Sequence, residues 1–231
     1  RFKNFIKNDF NVIEYDDVKT EALGVFDTPS VTSLEHKASY INIALEKWKG
    51  IKFHIICHST GCGLGTFLAK KNKQACQSLI LISPWNRADY DFTALQKGRV
   101  KNAKELETIL FLKSECNLLY SSEYLYKFDT QFDQHIDNQK DKNVDAVQIE
   151  KRLQSIIDCN LGDELRHLGI PKLLINAMDD KLMKAHHGQE LKKLSSNTKL
   201  ISLDTGGHML TETQADVLNA YIKSFINSLG K

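Results

Sequence analysis

The sequence predicts an α/β fold in which a mostly parallel sheet is flanked by helices, with a helical segment inserted after the third predicted strand. Strand and helix patterns alternate near both ends of the chain, whereas the middle carries helical patterns alone. Strands that alternate with helices pair in parallel through crossover connections. We therefore predict a core formed by residues 1–84 and 166–231 and a helical insertion over residues 85–165.

The individual elements follow from the spacing of apolar residues. Strand character occurs in five short apolar segments, FNVIEY (10–15), KFHIIC (52–57), QSLILIS (77–83), KLLIN (172–176) and TKLISL (198–203). Helical spacing occurs in RFKNFIKN (1–8), over residues 32–50, in TFLAKK (66–71), in HHGQELKKL (186–194) and over residues 212–228. Thr32 and Glu35 form a capping box that predicts the start of the second helix. Residues 16–32 carry Gly, Pro and Asp and are predicted to be a loop.

The predicted insertion is helical because its apolar residues recur at helical spacing. AKELETILFLKSE (103–115) and AVQIEKRLQSII (146–157) are its clearest helices. The segment is rich in Lys, Asp, Gln and Tyr and carries no strand pattern. We therefore expect the insertion to interrupt the sheet rather than to extend it.

The composition restricts the classes of partner. The chain has 31 Lys and Arg against 29 Asp and Glu, a formal charge of +2, and both signs are interspersed. Nothing in this pattern indicates a nucleic acid or an anionic membrane as a partner. The apolar runs are far shorter than the roughly 20 residues that span a bilayer. We expect a cytoplasmic protein that acts on a small molecule.

The five cysteines also argue against a cross-linked or metal-bound protein. They lie at positions 57, 62, 76, 116 and 159. Their number is odd, and their spacing is not that of the cysteines in a zinc site. We expect free thiols and no metal site.

The stretch FHIICHSTGCGLG (53–65) carries a candidate nucleophile. Ser59 comes directly after a predicted buried strand and before a predicted helix, with the small residues Cys57 and Gly61 two positions on either side. A serine at so sharp a strand-to-helix turn needs small neighbours, and its hydroxyl is left exposed above the sheet. An ordinary turn serine would give a similar pattern, so the stretch alone does not decide between the two.

A nucleophilic serine needs a base and an acid that orients the base. In a parallel sheet these groups are expected in loops at the carboxyl ends of later strands. One such strand ends in Asp179 and Asp180, and the next ends in a Gly-Gly pair followed by His208. The chain order Ser59, Asp180, His208 therefore predicts a catalytic triad, with Asp179 as the alternative acid.

With these residues the sequence resembles the α/β-hydrolase superfamily from NVIEYD (11–16) to the final helix. The resemblance implies that Ser59 is the nucleophile, His208 the base and Asp180 the acid, that the backbone N–H of Thr60 is an oxyanion donor, and that no cofactor is needed. It also implies that the helical insertion is a cap over the substrate pocket. More finely, LISPWNRADY (81–90) and GGHMLTET (206–213) are similar to the pyrimidine-utilisation aminoacrylate or carbamate hydrolases.

The sequence departs from the family pattern at several positions. Cys57 replaces the usual Gly before the nucleophile, and Asn176 and Lys184 replace the usual Gly and Pro of the acid loop. The glycine-rich DxRGxG pattern is not kept in DDVKTEALG (16–24). The family's third strand and its oxyanion loop have no counterpart in this sequence, so we expect an N-terminally truncated piece of a longer hydrolase with impaired activity.

Two functional classes remain open from the sequence. The first is a serine hydrolase of small esters, amides or related acyl compounds; the second is a non-catalytic, hydrolase-like protein that binds a small molecule. Trp85 is equally consistent with a pocket wall and with the core, whereas His58, His186 and His187 have no partners at ligand spacing and are expected to be structural or exposed.

Overall fold

A parallel sheet with the strand order β1-β2-β3-β4 forms the centre of the protein in a computed structural model that describes residues 2–15 and 33–230. The strands are β1 (Phe53–His58), β2 (Cys76–Ile82), β3 (Lys172–Ala177) and β4 (Thr198–Leu203). Each strand runs parallel to its neighbours. The parallel α/β architecture predicted from the sequence is confirmed.

Helices connect the strands and cover both faces of the sheet. They are α1 (Phe2–Lys7), α2 (Leu34–Leu45), α3 (Gly61–Lys71), α4 (Tyr90–Glu105), α5 (Thr108–Leu119), α6 (Ser122–Lys127), α7 (Asp129–Asp137), α8 (Ala146–Ile157), α9 (Leu161–Arg166), α10 (Ala185–Leu194), α11 (Leu210–Thr213) and α12 (Ala215–Leu229). A short 3₁₀ helix, Glu46–Trp48, follows α2. The described residues between β2 and β3 form α4 to α9 and no strand.

Alternate residues of the central strands belong to two hydrophobic clusters, one on each face of the sheet. Leu79 and Leu81 of β2 pack with apolar residues of α2, α3, α4, α8, α9 and α10. Ile80 and Ile82 of the same strand pack with α12. Successive side chains of a strand point to opposite faces, so β2, which is buried on both sides, is apolar almost throughout. The sheet is therefore the middle layer between two layers of helices.

The prediction of a strand over residues 10–15 is wrong. The structure describes these residues as irregular, and Val12, Ile13 and Tyr15 are exposed. Strand propensity reflects packing and pairing on a sheet, and none of the described strands pairs with this segment. The helical segment consequently follows the second described strand rather than a third.

Most of the predicted helices are present, but most of their bounds differ from the predicted ones, and the helix predicted over residues 212–228 is two helices, α11 and α12. The predicted cap Thr32 and the predicted loop over residues 16–32 lie outside the described residues; in the structure, Ser33 caps α2 by accepting a hydrogen bond from the N–H of His36 at 3.2 Å. The helix predicted over residues 103–115 is broken, because Leu106 and Glu107 have extended ψ angles of 149° and 147°.

None of the helices in the described ranges combines the length and the apolar character needed to cross a membrane. All five cysteines are free thiols.

Candidate active site

Ser59 lies in a strained turn between β1 and α3. Its φ angle is +52°, in the left-handed region that side chains other than glycine rarely adopt. Its backbone N–H donates to the carbonyl of Ile82 at the end of β2, at 2.9 Å. Such a conformation costs on the order of 1–3 kcal/mol and persists only where the surroundings impose it. The sharp strand-to-helix turn predicted from the sequence is therefore present.

The small residue that this turn needs most is Gly65, which the sequence reasoning did not single out. A Cβ atom at Gly65 would lie 2.1 Å from Sγ of Cys57 and 3.0 Å from Cγ2 of Ile55, whereas a Cβ atom at Gly61 would lie at an ordinary 3.8 Å from Cys57. The first turns of α3 can thus approach β1 although Cys57 is larger than the glycine usual in the family.

His208 and Asp180 complete a hydrogen-bonded chain that begins at Ser59. Oγ of Ser59 lies 2.8 Å from Nε2 of His208, and Nδ1 of His208 lies 2.9 Å from Oδ2 of Asp180. His208 and Asp180 are only 2% and 3% exposed. The other carboxylate oxygen of Asp180 accepts the backbone N–H groups of Leu182 and Met183, both at 2.8 Å. The structure thus brings the three predicted side chains together.

Asp179, the alternative acid, binds the loop that carries His208 rather than its ring. One carboxylate oxygen accepts a hydrogen bond from the N–H of Gly207 at 2.8 Å, and the other accepts hydrogen bonds from the hydroxyl of Thr205 at 2.9 Å and the N–H of Gly206 at 3.2 Å. The two neighbouring carboxylates therefore have different partners.

Two further side chains bind the backbone of His208, and no sequence pattern predicted either contact. Nε2 of His58 lies 2.9 Å from the carbonyl oxygen of His208, and Oγ of Ser83 donates to the same oxygen at 3.1 Å. The ring of His58 lies 5.1 Å from the ring of His208. Burial, reinforced by the neighbouring His208, lowers the pKa of His58 to about 4. Ser83 also has a positive φ angle, +51°, beyond the end of β2.

Thr60, the predicted oxyanion donor, immediately precedes α3, next to Ser59. Its backbone N–H has no acceptor among the residues that the structure describes. The position is suited to an anionic group, because the free N–H groups at a helix N-terminus attract negative charge.

The helical segment between β2 and β3 contacts the His208 loop through its backbone. The carbonyl of Leu119, at the end of α5, accepts the N–H groups of His208 and Met209 at 2.9 Å and 3.1 Å. Gly207, with a φ angle of +65°, lies so close that a Cβ atom would be 2.6 Å from the backbone nitrogen of Ser121. The hydroxyl of Tyr120 also lies 2.8 Å from a carboxylate oxygen of Glu212, just beyond this loop.

Two other residues singled out in the sequence, Trp85 and Cys57, lie outside the hydrogen-bonded chain of Ser59, His208 and Asp180. Trp85 is completely buried and its Nε1 donates to the carbonyl of Cys159 at 3.0 Å, so it belongs to the core. Burial raises the pKa of the Cys57 thiol to about 12, which leaves this residue unreactive. Among the described residues, one group has the composition of a metal site: Asp89, His186 and His187.

Comparison with known proteins agrees with this architecture. The chain is 25% identical over 203 residues to the provisionally designated carbamate hydrolase RutD of Acinetobacter baylyi, covering 85% of this chain and 76% of that protein. It is 22% identical over 218 residues to the RutD of Yersinia enterocolitica, covering 94% of this chain and 78% of that protein. The finer resemblance predicted from the sequence is therefore confirmed as similarity to this group.

Solved structures share the fold at lower sequence identity. The α/β hydrolase MGS-M2 from a deep-sea metagenome library superposes with a TM-score of 0.79 at 12% identity, over 92% of this chain and 86% of that chain. The enol-lactonase of Burkholderia xenovorans gives a TM-score of 0.71 at 15% identity, over 84% of this chain and 73% of that chain. The sequence model described as "alpha/beta hydrolase fold" matches residues 27–215. The chain therefore belongs to the α/β-hydrolase fold family and is a hydrolase of that family.

Proposed function

We propose that this hydrolase is a serine hydrolase that cleaves a small ester, amide or related acyl compound through Ser59, His208 and Asp180. The observation that carries the proposal is the continuous hydrogen-bonded chain from Oγ of Ser59 through the His208 ring, 2.8 Å and 2.9 Å long at its two links. A serine, a histidine and a carboxylate in this arrangement have the geometry that nucleophilic acyl transfer requires.

In the proposed reaction, Ser59 attacks the carbonyl carbon of the substrate as Nε2 of His208 takes its proton. Asp180 accepts the hydrogen bond from Nδ1, which fixes the tautomer that leaves Nε2 free to act as the base and stabilises the imidazolium that forms. His208 then gives the proton to the leaving group. A water molecule, activated by the same ring, attacks the acyl-enzyme and releases Ser59.

The oxyanion that forms in each step is proposed to accept a hydrogen bond from the N–H of Thr60. This N–H has no acceptor in the described structure and lies at the start of α3. Donors that are already oriented toward developing negative charge stabilise the transition state strongly, because they need no reorganisation during the reaction. The remaining steps use only side chains of this protein and water.

We further propose that the helices of residues 85–165 form a cap over the substrate and that the core consists of residues 1–84 and 166–231. The contact of Leu119 with the His208 loop supports this arrangement, since the end of α5 lies directly against the residue proposed as the base. The similarity to proteins designated carbamate hydrolases makes a small carbamate the first compound to assay.

Labelling with a fluorophosphonate probe tests the proposal, because the probe reacts with an activated serine. We expect one label per chain on Ser59, and Ser59→Ala is expected to lose both the label and about a millionfold in turnover of a small ester. Ser196→Ala, which removes an exposed serine, serves as the matched control.

The alternative function is a non-catalytic protein that binds a small molecule at the same site. Failure of the probe to label the folded wild-type chain, together with the same hydrolysis rate in Ser59→Ala, would reject the serine mechanism in favour of this alternative.

A further inference from the structure

Asp89, His186 and His187 come together from two distant parts of the sequence. Asp89 follows β2 and caps α4, while the two histidines lie in the first turn of α10, after β3. One potential ligand atom of each residue lies within 4.8 Å of the others. The sequence spacing gave no indication of this group because 97 residues separate Asp89 from His186.

The carboxylate of Asp89 is held with one oxygen directed at His186. Its Oδ1 accepts the N–H of Phe92 at 2.8 Å, which is the capping bond of α4. Its Oδ2 lies 3.0 Å from Nε2 of His186. The capping bond orients the carboxylate so that Oδ2 faces His186, and a bound ion would replace the contact between these two atoms.

His187 is the least expected member of the group, because it is a buried polar side chain that lacks a partner. It is 2% exposed, and its Nδ1 atom has no hydrogen-bond partner within the described part of the chain. Its ring packs edge-on against Phe92, with 5.6 Å between the ring centroids. A buried polar atom without a partner is destabilising, so an occupant that binds it would be stabilising.

We propose that Asp89, His186 and His187 bind a divalent transition-metal ion of the zinc type, with water in the remaining coordination position. Two imidazoles and one carboxylate are a ligand set that Zn²⁺ accepts, and three protein ligands leave the fourth tetrahedral position open. Ligand bonds of about 2.0–2.1 Å require the ligand atoms to come within about 3.3 Å of one another, which is a modest contraction of the observed group.

The surroundings permit this contraction and give access to the ion. The side chains of Asp89 and His186 are 27% and 43% exposed, so both have room for small shifts toward the buried His187. Lys184 and Asp91 form an ion pair next to the group and already join the start of α10 to the start of α4. A bound ion would add a second link between the same two helices.

The expected role of the ion is structural. The group contains none of the three residues proposed for catalysis, but Asp180 lies six residues before His186 on the same connection from β3 to α10. Binding of the ion is expected to stabilise this connection and to raise the temperature of unfolding, because a ligand that binds only the folded state stabilises it. This inference does not depend on the proposed serine mechanism.

Titration of the metal-free full chain with Co²⁺ and Zn²⁺ tests the site. We expect one ion per chain, a visible Co²⁺ absorption band typical of low coordination number, and a Zn²⁺-dependent rise in the unfolding temperature. Asp89→Asn keeps an oxygen that can cap α4, and His186→Gln changes a partly exposed side chain, so both are expected to fold. Each is expected to weaken binding at least tenfold.

His135→Gln, which removes an exposed histidine of α7, is the control for nonspecific binding and is expected to keep wild-type affinity. The proposal is overturned if the wild-type chain binds neither ion at a ratio of one to one, or if either Asp89→Asn or His186→Gln keeps the wild-type affinity.

Discussion

His58 binds the backbone of His208: Nε2 of His58 lies 2.9 Å from the carbonyl oxygen of His208. His208 is the residue that we propose as the base for Ser59. His58, which directly precedes the proposed nucleophile Ser59, therefore helps to position His208, which is proposed to accept the proton of Ser59. Ser83 donates to the same oxygen, so a half-buried histidine and a buried serine hold the His208 backbone on one side.

Removing the hydrogen bond of His58 is expected to lower turnover without changing the folded structure. His58→Leu should reduce kcat by about 100-fold with little change in KM, because a small displacement of His208 misaligns the proton transfer. His58→Gln keeps a side-chain N–H donor and should recover part of this loss. Steady-state kinetics check the prediction, with His36→Gln as an exposed control. Equal kcat values in all three variants would contradict a positioning role for His58.

The two neighbouring aspartates are expected to differ in what their substitution changes. Asp180→Asn should lower kcat by about 10⁴-fold, because an amide favours the wrong tautomer of His208. Asp179→Asn should lower stability by about 1–3 kcal/mol, because the carboxylate that accepts bonds from Thr205, Gly206 and Gly207 is replaced by a group with one acceptor oxygen. Kinetics and thermal unfolding of both variants separate the two effects; a severe loss of kcat in Asp179→Asn alone would reverse the assignment.

A side chain at Gly207 is expected to be strongly destabilising. Gly207→Ala would place its Cβ 2.6 Å from the nitrogen of Ser121 and 3.0 Å from the carbonyl oxygen of Leu119, in a backbone conformation with a φ angle of +65°. We expect a loss of about 2–4 kcal/mol, since overpacking and strain add. Gly98→Ala, in the open interior of α4, is the matched control and should stabilise the chain by about 0.5–1 kcal/mol. Chemical unfolding measures both; equal stability of the two variants would refute the close approach.

The low pKa of His58 predicts a specific loss of stability in acid. Its pKa is lowered to about 4 in the folded chain, against an ordinary value of 6.5. Between these values the unfolded chain binds a proton that the folded chain excludes, so stability is retained above pH 6.5 and falls as the pH decreases toward 4. At pH 5 the loss is expected to be about 2 kcal/mol.

Urea unfolding at pH 7.5 and pH 5 measures this effect. His58→Gln should lose less stability than the wild-type chain between the two pH values, although other groups contribute equally to both proteins. An identical decrease in the two proteins would show that His58 is not excluded from protonation by folding.

The sequence predicted the parts of the structure that depend on local patterns. The strand TKLISL has the predicted bounds 198–203, and the helix AVQIEKRLQSII has the predicted bounds 146–157, because apolar spacing reports which face is buried. Ser59, Asp180 and His208 could be selected because parallel strands bring their carboxyl ends to one edge of the sheet. The proximity of the three side chains was thus foreseeable from topology.

The features that sequence patterns missed depend on contacts between distant segments. Residues 10–15 have strand propensity but no strand partner among those described, and the chain bends at Leu106 without a Gly or Pro to mark the place. Neither the bond from Ser83 to the His208 backbone nor the approach of Asp89 to His187 has a sequence signature, since only the folded chain brings these residues together.

The carbonyl of Leu119 accepts hydrogen bonds from both His208 and Met209, and this single oxygen has a mechanical consequence. A movement of the end of α5 away from the sheet must either break both bonds or pull the His208 loop along with it. If these helices form the proposed cap, an opening that draws the His208 loop outward also separates the proposed base from Ser59. In such an open state Ser59 would have no aligned base, so water that enters would meet a serine hydroxyl that is not activated.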